Sequence, residues 1–203
     1  MPKVIFDVGA NDGSTALALV KHFDPHVVYA FEPVESTFAA LQEGTKNEAR
    51  IKAFRIALSD NIGNGSMNCY NGSVLASLCD ETPVTSVKSD FFVGTEQVEL
   101  TTLDTFCMAH KINEIGLLKI DTEGHDLAVL KGSHRLLSER KIGFIIVEFY
   151  KVTPDNPGEP GCLNAMDELL CRSGYRFVAS YTDFVNARVP VGVYNALYTR
   201  TTT

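Results

Sequence analysis

Short apolar runs alternate along this chain with stretches in which apolar residues recur every three or four positions. Residues 3–8, 27–32 and 51–58 are rich in β-branched and aromatic side chains and read as strands buried on both faces. Between them, residues 15–23 and 37–46 carry helical spacing. This order predicts an α/β domain on a mostly parallel sheet with right-handed crossovers. Residues 61–100 break the rhythm with many Asn, Gly, Ser and Thr. Within them Asn64-Gly65 and Asn71-Gly72 are expected to be turns flanking a strand-like 66–70, a small hairpin. A bare loop of that length is uncommon in a compact domain, so the segment is read as a β insertion bordering a site. The rhythm resumes with strands at 117–120 and 142–147, separated by one helix with Leu127, Leu130, Leu136 and Leu137 on its apolar face. A Pro/Gly-rich loop at 153–161 leads to a helix at 163–171 and to closing strands at 175–179 and 192–199, expected to form an antiparallel hairpin. Residues 1–203 read as a single domain.

Between the first strand and the first helix lies Asp7-Val8-Gly9-Ala10-Asn11-Asp12-Gly13. A strand, a glycine turn and a helix start make a ligand loop, because free N–H groups at a helix N-terminus favour anionic atoms. Gly9 is expected to adopt a backbone conformation disfavoured for other residues, and Gly13 to allow close approach at the helix start. A dinucleotide fingerprint wants glycine at its first, third and sixth positions, which here are Gly9, Asn11 and Ser14. A pyrophosphate fit is therefore poor, and the absence of a following Gly-Lys-Ser/Thr removes a P-loop. What remains suits S-adenosylmethionine, whose methionine end carries an ammonium, a carboxylate and a sulfonium. Asp7 and the loop around Asn11 would answer those charges. Glu32, ending the next strand, is placed to accept the ribose hydroxyls, and Ser59-Asp60, ending the third, to meet the adenine edge.

The loop is one of an ordered set: Phe31-Glu32-Pro33, Ala57-Leu58-Ser59-Asp60, Thr102-Leu103-Asp104, Leu118-Lys119-Ile120-Asp121-Thr122-Glu123-Gly124 and Val129-Leu130-Lys131-Gly132. Together they resemble the motifs of the FkbM family of S-adenosylmethionine-dependent O-methyltransferases, from about residue 3 to residue 150. The resemblance implies a class I methyltransferase (Rossmann-like) fold: helices flanking a mostly parallel sheet, a terminal antiparallel hairpin, and a small β insertion before the fourth core strand. It also implies methylation of a hydroxyl, commonly on a sugar or other natural product. Ser73 and Ser77 lie where the family carries a serine pair beside the active site and enter as substrate candidates, although Val74, Leu75 and Ala76 separate them.

With an activated methyl supplied by the cofactor, the chain must align an acceptor oxygen, which can be worth roughly 7–11 kcal/mol. It must also remove that oxygen's proton. Asp121-Thr122-Glu123-Gly124-His125-Asp126 is the densest group of candidates. Strand alternation would put Asp121 and Glu123 on one side, and a turn at Gly124 would aim His125 into the same crevice. Asp121 is assigned to the cofactor's methionine end or the acceptor, Glu123 or His125 to the base, and Glu148 to an acceptor hydroxyl. Magnesium chemistry through the same residues is the alternative, but an imidazole between two carboxylates suits that oxygen-preferring ion poorly. No metal ligand is assigned.

Composition narrows the partners. The 18 basic and 25 acidic residues give a net charge of −7 without a basic block, which opposes nucleic acid as a partner. No apolar stretch approaches the roughly 20 residues that span a bilayer. The N-terminus runs directly into the first strand, so no secretory leader is expected and the cytoplasm is the expected location. The five cysteines include no Cys-x-x-Cys pair and read as free thiols. The absence of Trp and the abundance of hydroxyl-bonding acids and amides favour a sugar or glycan acceptor over a catechol. Further acceptor contacts are expected from residues 61–100, a dimer partner or a fused neighbouring domain. The competing classes are a nicotinamide-dependent oxidoreductase, opposed by the broken fingerprint, and a catalytically inactive binding module, opposed by the intact Asp7, Gly9, Gly13, Glu32 and Asp121.

Overall fold

A computed structural model describes residues 1–70, 78, 92–152, 156, 159–185 and 192–201. In chain order the elements are β1 (Val4–Val8), α1 (Ser14–Phe23), β2 (Val27–Phe31), α2 (Glu35–Thr45), β3 (Ile51–Phe54), β4 (Ala57–Leu58), β5 (Gly63–Tyr70) and β6 (Phe92–Thr101). They continue with α3 (Leu103–Ala109), β7 (Ile115–Ile120), α4 (Asp126–Lys131), α5 (His134–Ser138), β8 (Ile142–Phe149), α6 (Leu163–Arg172), β9 (Tyr175–Val185) and β10 (Gly192–Arg200). The main sheet has seven strands in the order β3-β2-β1-β7-β8-β10-β9. β1, β2, β3, β7 and β8 run parallel, and β10 returns antiparallel to both β8 and β9, as the closing hairpin requires. Strand order reverses between β1 and β7, the place where open α/β sheets bind ligands at their C-terminal edge.

Both faces of the central strands β1, β2 and β7 are buried, which explains why they read as continuous apolar runs. On one face Ile5, Val28, Ala30 and Leu117 belong to a core shared with Ala16 and Val20 of α1 and Leu41 of α2. On the other, Phe6, Tyr29 and Phe31 gather around Phe106 of α3, whose ring stands edge-on to Phe31 at 4.8 Å. Each such side chain stabilises the fold by about 1.5–3 kcal/mol through burial. The short motifs fasten this layer. Thr102 caps α3 by accepting from the Thr105 N–H at 3.1 Å, and Asp104 accepts from the N–H groups of Arg135 and Leu136 at 2.7 and 3.1 Å.

Three local expectations are corrected. The run at 51–58 is two strands in two sheets: β3 ends at Phe54, and β4 pairs with Leu100 and Thr101 of β6 in a three-stranded sheet ordered β4-β6-β5. The chain steps between sheets at Arg55-Ile56, where the Arg55 guanidinium leaves for Glu96 at 2.8 Å. Asn64-Gly65 is no turn but part of β5, with Gly65 opposite Val98. A Cβ on Gly65 would sit 3.1 Å from a Leu100 methyl, so glycine serves side-chain packing there. The helix expected across Leu127 to Leu137 is broken into α4 and α5 at Gly132-Ser133. The Ser59 carbonyl approaches Gly132 so closely that a Cβ would lie 2.0 Å from its oxygen. That approach requires glycine at the break, where the Gly132 carbonyl accepts from the Asp104 N–H and the Arg135 and Leu136 N–H groups turn to the Asp104 carboxylate in place of the helix ladder.

Candidate active site

Residues at the C-terminal ends of β1, β2, β4 and β7 line a cleft of about 250 Å³. Gly9, Asn11, Glu32, Asp121, Glu123 and His125 all border it. Ser59, Asp60, Asp7, Gly13 and Glu148 are not among its described lining residues, while Ser73 and Ser77 lie outside the described residues.

The turn after β1 is shaped by left-handed backbone at Gly9, φ 79°, and Asn11, φ 49°. A Cβ on Gly9 would fall 1.8 Å from the Asp121 carbonyl oxygen, so only glycine lets the ends of β1 and β7 meet. Gly13 is also left-handed, φ 86°, but its close neighbours are the side chains of Leu41 and Thr45 on α2. It seats α1 on α2.

Glu32 immediately follows β2 and is 6% exposed. Its two carboxylate oxygens accept from the Asn11 and Val34 backbone N–H groups at 3.1 and 3.0 Å. These donors orient the carboxylate and leave lone pairs for further hydroxyl donors. Burial nevertheless outweighs them and holds the Glu32 carboxyl up to about 7.

Asp7 lies beneath the cleft floor and is fully buried. No donor makes a well-aligned hydrogen bond to its oxygens among the described residues; its charge is balanced by Lys119 Nζ at 3.1 Å. Burial raises its pKa, with Lys119 opposing. Lys119 also stands 3.1 Å from Asp121 Oδ2. Burial disfavours the ammonium, but the two carboxylates overcome this and keep Lys119 protonated. Lys119 was not singled out from sequence, although a lysine inside the apolar run Leu117-Leu118-Lys119-Ile120 is a signal: a charge in a buried strand needs partners.

Asp121, Glu123 and His125 share the cleft for a different reason than strand alternation. β7 ends at Ile120, and a turn with positive φ at Glu123, 54°, and Gly124, 98°, redirects the chain. His125, at the start of α4, places Nε2 3.0 Å from Ser59 Oγ, itself 3.3 Å from Asp60 Oδ1. Ser59 and Asp60 thereby stand behind His125. Burial lowers the His125 pKa, with Asp60 opposing, which favours the neutral imidazole.

Behind the cleft lies a second group of acids. Asp126 is 1% exposed, accepts from the Thr122 N–H and Oγ at 3.2 and 2.7 Å, and accepts from the Glu148 N–H at 3.0 Å. It ties the turn after β7 to β8. Glu148 is 6% exposed and sits 2.5 Å from Tyr150 Oη, which also lies 3.1 Å from Glu123 Oε2. Asp126 and Tyr150 went unassigned at the level of sequence; the two-residue spacing of Glu148 and Tyr150, which shares a strand face, was the available signal for the latter. Among the described residues no cluster of His, Cys, Asp and Glu is arranged to hold a metal ion, and no helix is long and apolar enough to cross a membrane.

The strand order, the glycine turn after β1 and the carboxylate after β2 define a class I methyltransferase fold. A family model of the methyltransferase FkbM domain matches residues 7–177, and the chain belongs to that family. It is 27% identical over 154 residues to the 2-O-methyltransferase NoeI of Sinorhizobium fredii, a match covering 72% of this chain and 63% of that protein. It is 28% identical over 152 residues to the hexuronic acid methyltransferase AglP of Haloferax volcanii, covering 72% of this chain and 56% of that one. The chain therefore spans less than two thirds of the length of either relative. Among solved structures, magnesium protoporphyrin IX methyltransferase from Synechocystis PCC 6803 superposes with a TM-score of 0.53 at 11% identity, over 97% of this chain and 69% of that one.

Proposed function

We propose that this chain transfers a methyl group from S-adenosylmethionine to a hydroxyl of a sugar or glycan. The observation that carries the reading is the single cleft that joins a backbone-held carboxylate, Glu32, to the group Asp121, Glu123 and His125. The residues fit the cofactor. Glu32 would accept the ribose hydroxyls with its remaining lone pairs, and the Gly9 turn with Asn11 would cradle the methionine end. Lys119 and Asp121 border that end with both signs of charge, suited to a carboxylate and an ammonium. Ile56, Leu58 and Met67 give an apolar wall for the adenine ring, a better match than the more remote Ser59-Asp60 edge.

When bound, the cofactor supplies an electrophilic methyl group. The chain's own contribution is to orient the acceptor hydroxyl and take its proton, and Glu123 is the residue we assign as base. It borders the cleft and accepts the Tyr150 hydroxyl, which orients its carboxylate there. His125 is the second candidate, its imidazole oriented by Ser59. The sugar class follows the two relatives, one a 2-O-methyltransferase and the other a hexuronic acid methyltransferase. Calorimetry with S-adenosylhomocysteine tests the first half: tight binding is expected, and no binding would overturn it. Intact-mass analysis across a panel of uronic acids, neutral sugars and phenols tests the second. A one-methyl gain confined to phenols would overturn the sugar assignment.

A further inference from the structure

Tyr150 Oη lies 2.5 Å from Glu148 Oε2 and 3.1 Å from Glu123 Oε2. A phenol has one proton to donate, and an ionised carboxylate only accepts. Both contacts can be hydrogen bonds only if one carboxyl carries a proton and donates it to the phenol oxygen. Glu148 is the more deeply enclosed. It is 6% exposed, and its own N–H is spent on Asp126. Among the described residues, the titratable groups acting on it are all acidic: Asp126 on α4, Asp121 and Glu123 on the turn after β7, and Tyr150 beyond β8, while Asn195 of β10 lies opposite in register.

We propose that Glu148 is a resident carboxylic acid and Tyr150 a positioning residue, forming a directed chain in which Glu148 O–H donates to Tyr150 and Tyr150 O–H donates to Glu123. The proposal rests on the reading of Glu123 as base. Burial first, and then the neighbouring acids, push the Glu148 carboxyl up to about 10, which agrees with the direction the donor count demands. No net proton moves along the chain. As the acceptor's O–CH3 bond forms and the methyl–sulfur bond breaks, the pair of the broken bond remains on sulfur and the acceptor's proton passes to the Glu123 carboxylate. The proton leaves for water as product departs, and Glu148 keeps its own. Tyr150 holds the Glu123 anion in place until that transfer, so its hydrogen bond keeps the base ionised at lower pH.

The test combines turnover with a readout that does not depend on catalysis. Tyr150→Phe should lower kcat about 10–100-fold, as loss of a hydrogen bond to a charged group allows, with acceptor KM and S-adenosylhomocysteine affinity within about twofold. The acidic limb of its kcat–pH profile should move upward by about one unit. Glu148→Gln keeps a donor toward Tyr150 and should retain at least about ten times the turnover of Glu148→Leu. In the unliganded protein, the folded pKa of Glu148 lies above its ordinary value, so the wild type should lose stability as pH rises from about 5 to 9. Glu148→Gln should lose less stability over that range, keeping only the share that other buried acids such as Glu32 contribute, as read by urea midpoints. An unmoved pH limb in Tyr150→Phe, or parallel stability profiles, overturns the chain. Full turnover in Glu123→Gln with divergent stability profiles instead overturns the base assignment and leaves the resident acid standing.

Discussion

The two ends of the cleft hold their carboxylates differently. At the β2 end, the main chain holds Glu32 through the N–H groups of Asn11 and Val34, and the turn beside it is set by glycine geometry. At the β7–β8 end, side chains hold side chains: Lys119 lies between Asp7 and Asp121, Tyr150 between Glu148 and Glu123, and Asp126 against Thr122. Backbone donors are fixed by the fold and do not titrate. A network of acids changes with every proton it gains. The β2 end should therefore fail abruptly when the shape of its turn is altered, whereas the β7–β8 end should respond in graded steps to charge and pH.

The largest expected effect would break the shape end. Gly9→Val should abolish detectable S-adenosylhomocysteine binding by calorimetry, because its Cβ would fall 1.8 Å from the Asp121 carbonyl oxygen and its φ of 79° is strained for a β-branched residue. Normal binding by that variant would remove the β1 turn from the site. Next, Glu123→Gln should cut turnover about 10²–10⁴-fold with little change in cofactor affinity, while His125→Asn should cost less than about tenfold. The reverse ranking would transfer the role of base to His125. Chelator treatment in the same assay should leave wild-type turnover unchanged, and a loss restored by magnesium would favour the metal alternative.

Glu32→Ala should then weaken cofactor binding by about 1.5–3 kcal/mol for each ribose hydroxyl bond lost, with the far-ultraviolet circular dichroism of the wild type. The mildest effect sharpens the comparison from the backbone-held side. Burial holds the Glu32 carboxyl at about 7, against an ordinary value of 4.5. The ionised form is the better acceptor, so cofactor affinity should rise as pH passes upward through about 7, by up to ~10-fold per pH unit below that point. The stability of the unliganded protein should run the opposite way. Because the folded pKa is raised, the contribution of Glu32 is present below about 4.5 and lost as pH rises through about 7. Glu32→Gln should flatten the affinity trend by calorimetry and shrink, without abolishing, the stability trend by urea midpoints, since Glu148 still contributes its own loss.

Much of this arrangement was legible in the chain. The central parallel strands announced themselves as apolar runs because both of their faces are covered, and the turn after β1 did so because its glycine cannot be replaced. Glu32 and the Asp121 to His125 segment were readable because a class I sheet delivers ligand groups from strand ends. The roles of Asp7, Ser59 and Glu148 were less so. Each looks like a strand-end polar group in one dimension, yet Asp7 is fully buried beneath Lys119, Ser59 stands behind His125, and Glu148 sits behind Tyr150.

By itself, the sequence determined the alternation of strands and helices, the glycine turn after the first strand, and the polar residue types at the strand ends. These follow from periodicity and from the conformational limits of glycine, which are properties of short segments. Only the tertiary structure decided that residues 51–58 serve two sheets, that the helix breaks at Gly132 where Asp104 takes over its hydrogen bonds, and which acids meet water and which meet one another. Those outcomes depend on groups brought together from distant parts of the chain. The charge state of Glu148 is the clearest case: it is set by burial and by Asp121, Asp126 and Glu123, more than twenty positions away, neighbours that no local pattern records.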